Sequence, residues 1–291
     1  MRTANLDDRL VLVRDDGTAV DVEKASGRLF SSDPQAVFER WDAFTDWAST
    51  AAARSEDGVP FDERKLRAPV PRPRQIFAVA LNYADHIGES GFEIPEHLSV
   101  FTKFPASVTG PYDTVELPSR LVDWEVELVA VIGRRAHRVA VRDAWSHIAG
   151  LTVGQDLSER RLQLRGHAPQ FSLGKSFPGF SPTGPFLVTP DEVEDPDDLA
   201  IGCAVSGETM QESRTGRMIF SVPDQISRIS AVCPLLPGDL VFTGTPAGVG
   251  GAREPRRFLA PGEVLHSWIE GIGTLDTALT AGITHPHGPD A

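Results

Sequence analysis

The chain reads as mainly β with peripheral helices, an α+β fold in which a closed or rolled sheet is expected rather than a doubly wound one. From residue 76 onward, short apolar runs such as "IFAVAL", "VELVAVIG", "PFLVT", "LAIGCAVSG" and "DLVFTGTP" alternate with Gly and Pro turns. Helical spacing of apolar residues occurs there only in brief pieces, "RDAWSHI" and "VPDQISRISAV". At 291 residues and 41% hydrophobic, the chain is long enough for one large core and a small satellite domain.

The elements follow in order. "RLVLVRDDGTAVDV" predicts a hairpin turning at "DDG", and "DPQAVFERWDAFTDWASTAAA" carries helical spacing behind an Asp start signal. "RKLRAPVPRPRQ" can be neither a helix nor a central strand, because its prolines remove backbone donors and fix φ. It marks a connecting arm. The expected organisation is a small N-terminal α+β domain and linker over 1–70, a larger main domain over 71–280 and a loose tail over 281–291, where the two histidines of "THPHGPDA" are read as solvated.

Charge and composition exclude several classes. The net charge of -13, with no basic run, argues against a nucleic-acid partner. No apolar segment reaches the roughly 18 to 20 residues that span a bilayer, and "MRTANLDDRLVLV" lacks the basic head of a signal peptide. Cys203 and Cys233 have no metal-ligand spacing and read as reduced, core-filling thiols. A cytoplasmic protein without a membrane partner is expected.

In "VDWEVELVAVIG", residues two apart on a strand share a face, so Glu125 and Glu127 project together while Trp124, Val126 and Leu128 project oppositely. The pair faces either solvent or a cation. "LVAVIG" reads as buried on both faces, which weighs against solvent. Asp156, at the end of the apolar run in "GLTVGQDLSERR", is a third carboxylate in a similar setting. Three carboxylates suit a hard divalent cation, Mg²⁺, Mn²⁺ or Ca²⁺, better than zinc. In "LNYADHIGESG", a helical turn would put His86 and Glu89 on one face, either as a surface pair or as a general base oriented by a carboxylate. "TGTPAGVGG" lacks phosphate-loop and dinucleotide spacings and is a glycine-rich loop or part of a site.

Taken in order, "LNYADHIGESG", "FTKFPASVTGPYD", "VDWEVELVAVIG", "GLTVGQDLSERRLQ", "LGKSFPGFSPTGPFLVT", "MIFSVPDQISRIS", "LLPGDLVFTGTPAGVG" and "IEGIGTL" resemble the fumarylacetoacetate hydrolase family over roughly residues 70–276. The resemblance implies the family's rolled mixed β-sheet, usually a homodimer, and a bound Mg²⁺ or Mn²⁺, with Ca²⁺ able to replace it in crystals. It implies Glu125, Glu127 and Asp156 as metal ligands and His86 with Glu89 as a lid-borne dyad that activates water. It also implies Lys175 as a catalytic lysine beside the metal, Arg160 and Gln163 of "D-x-S-x-R-x-x-Q" near the substrate, and Thr245 at the pocket wall.

The implied activity is hydrolysis of the carbon-carbon bond of an acylpyruvate or related β-diketo acid through a metal-stabilised enolate. Decarboxylation or keto-enol isomerisation of a 2-oxo acid is the alternative on the same site, and a non-catalytic metal or ligand module is the third. The sequence departs from the family's pattern at Gln155-Asp156 and at Ser206-Gly207-Glu208, where Asn-Asp and Asn-Gly-Glu are usual. Arg160, Arg161 and Arg165 form either a solvated charged face or an anchor for a substrate carboxylate.

Overall fold

The computed structural model describes residues 1–50, 57–90 and 95–282, excepting the side chains of Ile87, Glu89 and Ser90. Of the expected tail, Ala281 ends the strand Gly273–Ala281, and residues 283–291 lie outside the described residues. The fold is mainly β, as expected. A mixed sheet runs, neighbour by neighbour, through Val59–Pro60, Thr18–Asp21, Arg9–Val13, Arg2–Leu6, Ser181–Val188, Ile148–Gln155, Val126–Ile132, Leu240–Phe242, Ile76–Ala80 and Ser99–Thr102. A second sheet orders Glu208–Arg214, Ala200–Val205, Val264–Ile269, Gly273–Ala281 and Thr114–Leu117, and it lies against the central strands of the first. Parallel pairs, such as Leu240–Phe242 with Ile76–Ala80, sit beside antiparallel ones in both sheets.

The N-terminal residues continue the large sheet. Arg2–Leu6 pairs with both Arg9–Val13 and Ser181–Val188. The expected hairpin forms, Arg9–Val13 pairing with Thr18–Asp21 around the turn at Asp15-Asp16-Gly17, but the sequence reading missed the strand Arg2–Leu6 before it. That strand joins Arg9–Val13 through Asp7-Asp8, with φ of 48° and 63°, a two-residue turn whose positive φ aspartate tolerates better than most residues.

Helical signals were displaced where local chemistry is weak. "AVFER" forms a 3-10 helix, and the α-helix begins only at Trp41–Ala48. Asp33 is spent on a turn, accepting from the Gln35 N–H at 3.0 Å. "VRDAWSH" is likewise 3-10, whereas Val222–Val232 is an α-helix capped by Ser221, whose hydroxyl faces the Asp224 N–H.

The strand Val126–Ile132 separates two cores. Val126, Leu128, Ala130 and Ile132 enter the cluster between the two sheets, joined by Trp124. Val129 and Val131 enter a second cluster, under Phe38, Trp41 and Phe44 of the N-terminal segment. Glu127 shares the second face by period-2 alternation, but it lies beyond the end of that aromatic cover. One face of one strand is therefore a hydrophobic floor at its C-terminal end and a polar site at its N-terminal end.

Candidate metal centre

Strand pairing assembles the carboxylates. Val126 is opposite Gln155 and Glu127 opposite Gly154, and the Asp156 N–H donates to the Glu125 carbonyl at 2.9 Å. Asp156, although 29 residues from Glu127, is thus delivered beside it by register alone. Gly154 permits the approach, since a Cβ there would lie 2.5 Å from Val129 Cγ2 and 2.8 Å from the Phe242 ring. One carboxylate oxygen from each of Glu125, Glu127 and Asp156 lies within 4.8 Å of the others, and all three residues are buried.

Cations surround the triad. Lys175 Nζ donates to Glu125 Oε2 at 2.8 Å and Asp156 Oδ2 at 2.6 Å. Arg160 spans Asp123 and Glu125, with its Nη1 2.6 Å from Glu125 Oε1 and 3.0 Å from the side-chain Oε1 of Gln163. Lys103 is sealed from solvent and donates at 2.5 Å to both Asp156 Oδ1 and the Lys175 carbonyl. Burial of this kind costs heavily unless every charge is paired.

The pKa directions report that balance. Burial would raise Glu125, but Lys175 and Arg160 hold it below the usual carboxylate range. Glu127 is pushed well above its usual value, first by burial and then by the Asp156 and Glu125 charges. Burial lowers Lys103 despite Asp156, whereas Asp156 and Glu125 together outweigh burial at Lys175 and raise it. The difference follows from geometry: Lys175 faces two carboxylates and Lys103 one.

A cavity of about 520 Å³ opens onto this floor, lined by His86, Glu125, Arg160, Gln163, Lys175 and Thr245 among others. His86 is carried on the helix Ala84–Ser90 and is 8% exposed. The Glu89 side chain, its expected partner, lies outside the described residues. Thr245 lies on the wall, with its hydroxyl donating to the Val126 carbonyl and accepting from Gln211 Nε2, both at 2.8 Å. Arg161 and Arg165 are exposed, so of the three arginines only Arg160 turns inward.

Two site residues escaped the sequence reading. Asp123 has the same strand parity as Glu125 and Glu127, and that parity was the available signal. Lys103 is the lone charge in "FTKFP", and nothing local distinguishes it from a surface lysine. The departures also resolve structurally. Gln155 Oε1 accepts from the Glu125 N–H at 2.9 Å and its Nε2 donates to Ser267 at 2.8 Å, so it fixes the backbone of a triad residue. Ser206-Gly207 is a hairpin turn with φ of 48° and 88°, a position that also suits Asn-Gly.

The donor set fits a hard divalent cation. It offers carboxylate oxygens only, and the raised Glu127 shows charge that a cation would relieve. The buried Tyr83 hydroxyl, without a hydrogen-bond partner among the described residues, lies close enough to Glu127 for its charge to be felt.

The chain is similar to several known proteins. The chain is 42% identical over 239 residues to the human protein "Oxaloacetate tautomerase FAHD2A, mitochondrial", covering 81% of this chain and 76% of that one. It shares 51% identity and a TM-score of 0.90 with the crystal structure of an HpcE-like protein from Mycobacterium smegmatis, covering 97% of this chain and all of that one (100%). It shares 27% identity and a TM-score of 0.80 with maleylpyruvate hydrolase from Sphingobium sp. SYK-6 in complex with manganese (II) ion and pyruvate, covering 97% and 100% of the two chains. Residues 75–280 match the family described as Fumarylacetoacetate (FAA) hydrolase C-terminal, and the chain belongs to the fumarylacetoacetate hydrolase family.

Proposed function

We propose that the protein is a divalent-metal-dependent enzyme that interconverts the enol and keto forms of a small 2-oxo acid. The observation that carries this is a buried carboxylate triad whose Glu125 lines a cavity that also presents Lys175 and His86. Glu125, Glu127 and Asp156 would hold Mg²⁺ or Mn²⁺. The bound cation would supply chelation of the substrate's carboxylate and 2-oxo oxygen and acidify the adjacent C–H.

The chain's own groups do the rest. His86 takes the proton from the carbon next to the carbonyl, the electron pair of that C–H bond moves towards oxygen, and a proton is returned to that oxygen. Lys175, held rigidly by Glu125 and Asp156, places an ammonium where oxyanion character develops. Gln163 and Arg160 keep the Glu125 carboxylate oriented. The oxaloacetate tautomerase name of the human relative supports this choice over the acylpyruvate hydrolysis expected from the sequence.

Hydrolysis is the second reading, supported by the hydrolase neighbour that holds manganese and pyruvate. There, a water deprotonated by His86 with Glu89 would attack the distal carbonyl of an acylpyruvate. The carbon-carbon bond would break to give pyruvate and a carboxylic acid.

The test is to load purified protein with Mn²⁺ and follow enol-oxaloacetate by absorbance beside acylpyruvates assayed for pyruvate release. Loss of the enol signal without pyruvate is expected, and His86→Ala should slow it about 10²- to 10⁴-fold while leaving Mn²⁺ binding intact. Pyruvate and acid formed faster than tautomerisation would transfer the assignment to the hydrolase.

A further inference from the structure

Four lysine or arginine side chains line the cavity, and three are committed. Arg160 is held by Asp123 and Glu125, and Lys175 by Glu125 and Asp156. Arg253 staples its own loop, donating to the Gly248 and Met210 carbonyls. Arg256 lines the same cavity, is exposed, and has no hydrogen-bond or ion-pair partner among the described residues. In a chain of net charge -13, an unpaired guanidinium facing a cavity is a local exception to an anion-repelling surface.

The loop that carries it is tied to the floor. The Gly250 and Gly251 N–H groups donate to the Asp123 carboxylate at 2.7 and 2.8 Å, and Asp123 is the group that grips Arg160 two residues before Glu125. The Arg257 N–H donates back to the Gly250 carbonyl at 3.0 Å. Glycine is required here, because a Cβ on Gly250 would lie 1.8 Å from the Arg257 carbonyl oxygen and 2.8 Å from Asp123 Oδ1. The glycines of "AGVGG" therefore set the position of a cavity wall relative to the triad, and that wall ends in an exposed arginine.

We propose that Arg256 binds the distal carboxylate of the substrate, so that the enzyme selects 2-oxo dicarboxylates over 2-oxo monocarboxylates; this rests on the 2-oxo acid reading above. A substrate whose 2-oxo carboxylate end sits at the triad extends its tail along this wall. A guanidinium matches a carboxylate with two parallel N–H donors. Glu254 lines the same wall unpaired with Arg256 and opposes an anion there, so the selection depends on Arg256.

The experiment is calorimetric binding of 2-oxoglutarate and 2-oxovalerate, equal in length and differing in the distal carboxylate, to Mn²⁺-loaded wild type, Arg256→Gln and Arg256→Lys. Wild type is expected to prefer 2-oxoglutarate about tenfold, Arg256→Gln to lose that preference with 2-oxovalerate affinity unchanged, and Arg256→Lys to keep part of it. A preference that survives in Arg256→Gln, or is absent from wild type, overturns the proposal. Binding preference as expected, with no turnover of oxaloacetate, would leave the anchor standing and remove only the tautomerase reading.

Discussion

Two charge networks of nearly identical geometry occupy opposite environments. On the N-terminal hairpin, Arg9 joins Asp21 and Glu23 at 2.7 and 2.8 Å, with side chains 20–40% exposed. At the cavity floor, Lys103, Asp156, Lys175, Glu125, Arg160 and Asp123 alternate in sign at 2.5 to 2.8 Å, and none is more than 17% exposed. Distance alone does not separate them. Solvent screens the first network, so each pair there contributes about 0–1 kcal/mol. In the second, desolvation has been incurred for every group, so each charge depends on its neighbours and the unscreened field is available to a ligand.

The sharpest way to break this contrast is Lys103→Met. It leaves Asp156 Oδ1 and the Lys175 carbonyl without their buried donor, and a loss of about 3–5 kcal/mol is expected from urea unfolding. A loss below about 1 kcal/mol would place Lys103 with the surface pairs.

Glu127→Gln should separate stability from function at the floor. Its only hydrogen bond among the described residues is from the Gly244 N–H at 2.8 Å, which the amide oxygen can accept. Removing a crowded buried charge should raise the thermal midpoint of the metal-free protein, while Mn²⁺ affinity measured by calorimetry falls about 100-fold. Unchanged affinity would strike Glu127 from the ligand set.

Asp21→Asn tests the exposed network and should cost under about 1 kcal/mol at neutral pH, less in high salt. Burial would raise the Asp21 carboxyl, but the Arg9 guanidinium and the Lys24 N–H hold it below its ordinary value of 3.8. The native state therefore binds this proton less readily than the unfolded chain. Its stabilisation is complete above pH about 4 and is lost as pH falls through the lower native pKa. Unfolding free energies of wild type and Asp21→Asn should converge in acid, and a difference that persists there would assign the effect to packing.

Legibility in the sequence followed the range of the interaction. The β class, the helix Val222–Val232 and the shared face of Glu125 and Glu127 rest on periodicities within a few residues, and all are present. Arg160 could not be told from Arg161 by spacing, because both are arginines in one short helix and only the fold decides which one meets Asp123. Lys103 was invisible for the same reason, its partners lying 53 and 72 residues away. The strand Arg2–Leu6 was missed although its turn was readable, since a short strand has little propensity of its own and is held by its neighbours.

By itself the sequence determined which residue types could meet a hard cation and on which strand face two of them stand, because backbone alternation is a local geometric property. Its ordered motifs also carried the family. Only the tertiary structure decided that the face bearing Val129 and Val131 is sealed by Phe38, Trp41 and Phe44 while its other end brings Glu127 to Glu125 and Asp156. Only it decided that Asp123, at the same strand parity, serves to tie the Arg256 loop to the floor. Burial and charge pairing depend on what distant segments bring to a position, and that information resides in no single stretch of chain.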